Sequence, residues 1–279
     1  MQKILTALPG LALRQSVKHY LQRECDTTDV GMTESVPARS QNILEFQFRS
    51  RYAVEYLESN KMEAGCRIAI VGPQTRQLFR LGVTGPMEEF VVVFTPTGLF
   101  ELFGCELNQF VDSAHEADDV VGTPMRALWQ RLGDVNQFSK RIEIVEEFLA
   151  PRICNARPSI RKVVTYINGC SGAVQISDLA RKTGMSVRNM ERRFRTQVGL
   201  PPKAYARIVR CEQALLMKAA NPEWSWSRIA YELNYFDQMH MVHDFVSLSG
   251  KTPVESFSKT AYGLSLSPQA WISFSTGPS

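Results

Sequence analysis

Histidine is scarce in this chain: there are four in 279 residues, and only His19 and His115 precede residue 156. They form no His-x-His pair, so the inward-facing imidazole and carboxylate ligands of a metal-dependent small barrel are missing. The six cysteines, at 25, 66, 105, 154, 170 and 211, contain no Cys-x-x-Cys pair. They read as small core residues in a reducing cytoplasm, with a redox sensor among them as the alternative. There is no Gly-rich phosphate loop, no Gly-x-Ser-x-Gly elbow and no cysteine with a histidine nearby. We therefore expect no catalytic residue, no metal ligand and no cofactor. The best apolar run, Phe90 to Phe94, is far short of a membrane span, and the apolar run at the N-terminus is too short for a signal peptide. A cytoplasmic chain without a membrane partner is the expectation.

What is present is enough apolar residue, 44%, and enough length for two domains with cores of their own. The overall charge of +4 hides a division. Residues 1–155 carry 16 Lys and Arg against 20 Asp and Glu, a net of −4, and residues 156–279 carry 16 against 8, a net of +8. A basic half of this kind is the footprint of phosphate binding, or plainly a solvated basic face.

In the acidic half, residues 11–24 read as an amphipathic helix with Leu13, Val17, Tyr20 and Leu21 on one side, followed by a polar loop from Asp26 to Pro37. Strand-like runs come next: Ile43 to Phe48 alternates, Arg67 to Val71 ends at Gly72-Pro73, and Phe90 to Phe94 ends at Thr95-Pro96. Beyond Gly98 the period turns helical, broken near Gly104, with further helices over Met125 to Leu132 and Ser139 to Pro151. Pro151 and Pro158 mark the junction between the halves. A first helix of the basic half follows from Ser159 to Asn168. The Ser-, Gly- and Pro-rich stretch 261–279 reads as a mobile tail on which Trp271, Ile272 and Phe274 could dock.

The organising stretch runs from Ile176 to Ser256 and holds two similar units. In the first, Ile176 to Thr183 and Ser186 to Val198 form two short helices around Gly184, with Ala180 at their contact and Ser186 as cap. Leu179, Met185, Met190 and Phe194 fall on one face, leaving Arg188, Arg192 and Arg195 outward. The second unit runs from Trp226 to Leu233 and from Asp237 to Ser249, with Ala230, Asn234, Met241 and Phe245 standing for Ala180, Gly184, Met190 and Phe194. Asn tolerates a left-handed turn next best after Gly. The spacing from Ala to Met is one residue longer, which implies a longer turn, and Asp237 is its cap.

Ser186 to Phe194 (SVRNMERRF), Gly199 to Arg207 (GLPPKAYAR), Asp237 to Phe245 (DQMHMVHDF) and Gly250 to Phe257 (GKTPVESF) together resemble the DNA-binding domain of the AraC/XylS family of bacterial transcription regulators. The two Gly-x-x-Pro turns, Gly199 to Pro202 and Gly250 to Pro253, stand in register. The departures are Asn234 for the usual Gly and Arg188 where an aromatic residue is sometimes found. Val71 to Arg76 (VGPQTR), Phe94 to Gly104 (FTPTGLFELFG) and the acidic stretch before Gly122 resemble the N-terminal domain of a subgroup of these regulators with mostly uncharacterised effectors. The resemblance implies an α+β chain. Residues 1–155 would form a cupin-like small β-barrel or sheet with helices, serving as a sensor or dimerisation domain. Residues 156–260 would form an all-α DNA-binding domain, its two helix-turn-helix units joined by a long helix. The partners implied are double-stranded DNA, a small effector, RNA polymerase and a second protomer. An enzyme or an architectural DNA binder carrying the same domain is the alternative.

On this reading Arg188 and Arg192, four residues apart, enter one groove and either takes guanine O6 and N7 or contacts phosphate. Asn189 is open between base and phosphate, and Glu191 is expected to pair with Arg195, with acceptance from cytosine N4 as the alternative. Gln238 could read adenine and Met239 could lie against a thymine methyl. His240 and His243 face DNA, their i, i+3 spacing leaving a metal as the alternative. Lys203, Arg207 and Arg210 are placed for phosphates.

Overall fold

Ten strands lie within the first 116 residues of the computed structural model, which describes residues 3–27, 31–153 and 160–258. They are β1 (Lys3–Ala7), β2 (Val17–Asp26), β3 (Met32–Ser35), β4 (Ile43–Gln47), β5 (Ala53–Tyr56), β6 (Lys61–Ala64), β7 (Ile68–Val71), β8 (Phe79–Val83), β9 (Pro86–Phe94) and β10 (Ala114–Glu116). One six-stranded sheet runs β1-β2-β9-β4-β7-β10 and a four-stranded sheet runs β3-β8-β5-β6, all pairs antiparallel. Helices α1 (Gly98–Phe103), α2 (Ala117–Val121), α3 (Pro124–Gly133) and α4 (Phe138–Ile153) follow, with a 3-10 turn at Leu107–Gln109.

Alternation decides the two faces of the larger sheet. Tyr20, Leu44, Phe46, Ile70, Phe90 and Val92 point one way and share a core with Leu99, Leu128, Val145 and Leu149 of the helices. Leu21, Ile43, Ala69, Val71, Val91 and Val93 form a second, smaller apolar cluster on the other side. Because both faces are covered, the central strands carry apolar residues at consecutive positions.

That burial explains where residues 11–24 depart from expectation. They form turns and then β2, not a helix, and β2 lies between β1 and β9. Tyr20 and Leu21 are adjacent and both buried because they serve opposite faces, a pattern that also fits a helical stripe. The expected loop from Asp26 to Pro37 contains the end of β2 and all of β3. Pro151 does not end α4: it sits in the last turn, two residues before Ile153. There its missing N–H removes one late hydrogen bond without interrupting a long helix. Cys154, most of the junction and the tail 261–279 lie outside the described residues.

The C-terminal region is helical: α5 (Arg161–Gly169), α6 (Ile176–Lys182), α7 (Val187–Val198), α8 (Pro202–Ala220), α9 (Trp226–Glu232), α10 (Gln238–Ser249) and α11 (Pro253–Ser258). One apolar cluster runs through Val163, Leu179, Met190, Phe194, Ile208, Ile229, Met241 and Phe245. Each such side chain contributes about 1.5–3 kcal/mol on burial, and the shared cluster makes both helical pairs and α8 one folding unit.

The two halves are joined by polar contacts. Glu101 of α1 is 2% exposed and accepts from Ser16 Oγ at 2.9 Å, from Thr97 Oγ1 at 2.7 Å and from Arg161 of α5, whose Nε lies 3.2 Å away. Gln41 Nε2 donates to Glu212 on α8 at 3.3 Å, and Ala38 N to the Leu248 carbonyl at the end of α10 at 2.9 Å. Gly199, at φ 89°, seats α7 against the sheet domain: a Cβ there would lie 2.7 Å from Pro73 Cγ and 2.9 Å from the Leu107 carbonyl.

Candidate nucleic-acid interface

Each helical pair turns on one left-handed residue. Gly184 has φ 67° and Asn234 has φ 54°. The next amide in each case returns to the alanine at the helix contact, Met185 N to Ala180 O at 3.0 Å and Tyr235 N to Ala230 O at 2.9 Å. From that point the units differ. In the first, the cap Ser186 follows Met185 directly and its Oγ accepts from Asn189 N at 3.2 Å. In the second, Phe236 intervenes before Asp237, whose Oδ1 accepts from His240 N at 2.7 Å. The longer turn is therefore Phe236 itself, and its ring is 92% exposed. Each cap stabilises its helix by roughly 1 kcal/mol.

Helix α7 keeps Met190, Phe194 and Val198 inward and leaves Arg188, Arg192 and Arg195 exposed. Arg192 Nη2 donates to Asn189 Oδ1 at 3.1 Å, so the half-buried Asn189 and the arginine present a joined polar edge. Among the described residues no ion pair joins Glu191 to Arg195, contrary to expectation, which leaves Arg195 turned to solvent. Lys203, in the first turn of α8, is exposed.

Arg207 is paired within the protein. Its Nε and Nη2 reach Asp244 Oδ1 of α10 at 2.9 and 2.8 Å, and the Asp244 side chain is 7% exposed. Arg210 is half-buried, donates Nη2 to the Gly172 carbonyl at 3.0 Å and lies over the Tyr235 ring at 4.9 Å. Both arginines tie α8 to its neighbours, a role that depends on a partner 37 or 38 residues away and carries no local sequence signal.

Helix α10 exposes Gln238, Met239, His240 and His243 on the side away from Met241 and Phe245. Gln238 Oε1 accepts from Ser227 Oγ of α9, and His240 meets Tyr235 edge to face at 5.4 Å. Among the described residues no group of three or more His, Cys, Asp and Glu could hold a metal. Phe236, and Met239 at 58% exposure, set exposed apolar side chains among the polar Asp237, Gln238 and His240 at the start of α10, and Tyr231 of α9 is 80% exposed. The sequence reading missed Phe236; its one available signal was the additional residue between Ala230 and Met241.

The sheet domain holds a second polar feature. Glu45 faces Val91 and Ala69, and Glu89 faces Arg23 and Gln47, so both carboxylates lie on the face that carries Leu21 and Ile43. Arg23 pairs with Glu89 and also donates to Tyr52 Oη at 2.7 Å, while the Tyr52 hydroxyl donates to Glu89. Burial, with Glu89 beside it, pushes the Glu45 carboxyl up to about 8. His19, buried nearby on β2, is pulled down to about 4 by burial and by Lys18. Gln74 is fully buried and its amide oxygen and nitrogen have no hydrogen-bond partner among the described residues. A cleft of about 440 Å³ lies where the halves meet, between Arg76, Gln77 and Arg80 on one side and Ser247 and Lys251 on the other.

Residues 179–258 match a family described as a helix-turn-helix domain, and residues 5–116 match a domain of unknown function, DUF6597. No curated protein matches the chain. Among solved structures it is similar to ToxT from Vibrio cholerae, at 9% identity and a TM-score of 0.47, covering 92% of this chain and 97% of that one. A ToxT structure with bound unsaturated fatty acid gives 9% and 0.45, covering 91% and 94%. The AraC-like transcriptional activator CuxR gives 14% and 0.30, covering 76% and 86%.

Proposed function

We propose that the chain is an AraC-type helix-turn-helix regulator that reads one asymmetric DNA site with α7 and α10 in successive major-groove segments, a reading supported by the helix-turn-helix match over residues 179–258. The observation that carries this reading is the geometry of α8. Its 19 residues span about 28 Å at ~1.5 Å per residue, as one rigid element between two capped recognition helices. Groove segments on one face of B-DNA repeat every ~34 Å, and the offsets of α7 and α10 from the ends of α8 supply the difference. Arg188, Asn189, Arg192 and Arg195 would serve one half-site, with Gln238, Met239, His240 and His243 on the other and Lys203 on the backbone. The half-site centres then lie ~10 bp apart, and inserting about five base pairs between them turns one to the opposite face. Binding of the full chain to its selected site should fall steeply on that insertion; indifference would mean that a single unit engages DNA.

In the same reading the sheet domain senses a small effector. Its buried Arg23, Glu45, Glu89 and Tyr52 support this, because ionisable groups packed beside an apolar cluster weigh against stability unless they have another use. A compound that raises the melting temperature of the full chain and changes its affinity for DNA would identify the effector. Self-association through the sheet domain and a contact with RNA polymerase belong to this reading, and sedimentation of the full chain tests the first.

A further inference from the structure

We propose that Phe236 is a specificity residue, one that packs its ring against a thymine methyl at the edge of the half-site read by α10. The inference rests on the regulator reading and deepens it. Three observations carry it. First, Phe236 is the residue by which the second turn exceeds the first: Met185 and Tyr235 occupy equivalent hydrogen-bonded positions, and Phe236 is added between Tyr235 and the cap. The addition displaces no core residue, since Tyr235 and Met241 remain buried.

Second, Phe236 is 92% exposed, and it stands at the N-terminal end of α10, the end that a recognition helix turns toward base edges. Tyr231 and Met239, also largely exposed, flank it in sequence. An apolar group this free of protein contact gains from any partner that removes it from water.

Third, the chemistry at this end selects the kind of contact. Helix α10 has neither lysine nor arginine, and the residue beside Phe236 is the carboxylate Asp237, which a phosphate would repel. A thymine methyl in the major groove is apolar and uncharged, and Phe is a suitable partner for it.

The test uses the full chain and a duplex site enriched by it from a random-sequence pool. Each thymine in the α10 half-site is replaced in turn by uracil, which deletes only the 5-methyl group. For the unaltered chain one such replacement should weaken binding about fourfold, the value of one buried methyl-sized group. Phe236→Ala should weaken binding to the thymine site on the order of tenfold and abolish the sensitivity to that uracil, while Phe236→Leu keeps it. The salt dependence of binding should be the same in all three, because no phosphate contact changes. Phe236→Ala binding as tightly as the unaltered chain, or keeping the same uracil sensitivity, would overturn the proposal and leave the ring to a protein partner. Failure of the full chain to enrich any site would overturn the regulator reading, and this proposal with it.

Discussion

Helix α7 turns Arg188, Arg192 and Arg195 to solvent, whereas α10, capped in the same manner and seated on the same core, has neither lysine nor arginine. Both must approach a polyanion if both read DNA. On that reading labour would be divided: α7 and the adjacent Lys203 would supply salt-dependent attraction, and α10 would contribute hydrogen-bonding and apolar discrimination with little charge. Such a division favours an α10 held in place by the protein, because it has no lysine or arginine of its own to anchor it on phosphates. The Arg207–Asp244 pair between α8 and α10 does this. The backbone bond from Ala38 to Leu248 adds a hold from the sheet domain.

The largest effect is expected where that hold is broken. Arg207→Ala strands the buried Asp244 carboxylate without its partner and should destabilise the helical region by about 3–5 kcal/mol in chemical denaturation. Asp244→Ala leaves an arginine that can turn to water, so its cost should be smaller, about 1.5–3 kcal/mol. Were Arg207→Ala instead to leave stability intact and flatten the salt dependence of DNA binding, Arg207 would be a phosphate contact and α10 would share the electrostatic role of α7.

Next in size is the contrast between base reading and attraction. Arg192→Ala should cost about 1–3 kcal/mol at the selected site and relax preference at one base position. Lys203→Ala should weaken all sequences alike and reduce the logarithmic salt slope by about one. Equal, sequence-independent losses in the two variants would make Arg192 a phosphate contact and remove the base-reading part from α7.

The helical units were legible in the sequence because their signals are local. A left-handed residue, a cap three residues before the amide it serves, and apolar positions four apart all lie within one turn or two of each other. The sheet domain was legible only at its central strands β4, β7 and β9, while β2 read as a helix and β3 as a loop, and the pairing into sheets was not legible at all. The alternation in β4 of Ile43, Glu45 and Gln47 with Leu44 and Phe46 suggests one wet face, yet Glu45 and Gln47 are buried beside Arg23 and Glu89 of strands about 20 and 40 residues distant. The same limit applied to the candidate site. Arg188, Arg192, Gln238 and Met239 are exposed on their helices as the periodicity implies, while Arg207 resembles them in sequence and is distinguished only by Asp244, 37 residues on.

The smallest expected effect concerns the left-handed position of each turn, where Gly184 and Asn234 hold nearly the same backbone conformation. Asn234 holds φ 54° and Gly184 φ 67°, and a Cβ at Gly184 would meet nothing within 4 Å. Gly184→Asn therefore carries only the backbone cost of a left-handed residue, which for Asn should be under about 1 kcal/mol. Asn234→Gly should recover a similar amount, less the added freedom of Gly in the unfolded chain. Thermal melts of the two variants, and of the chain carrying both, should thus differ from the original by only a few degrees, with the double variant nearest to it. A clear destabilisation by Asn234→Gly would show that the Asn234 side chain holds the longer turn and, with it, the position of Phe236. The added residue would then be a supported structure, and the entrance to α10 would be more rigid than the matching end of α7.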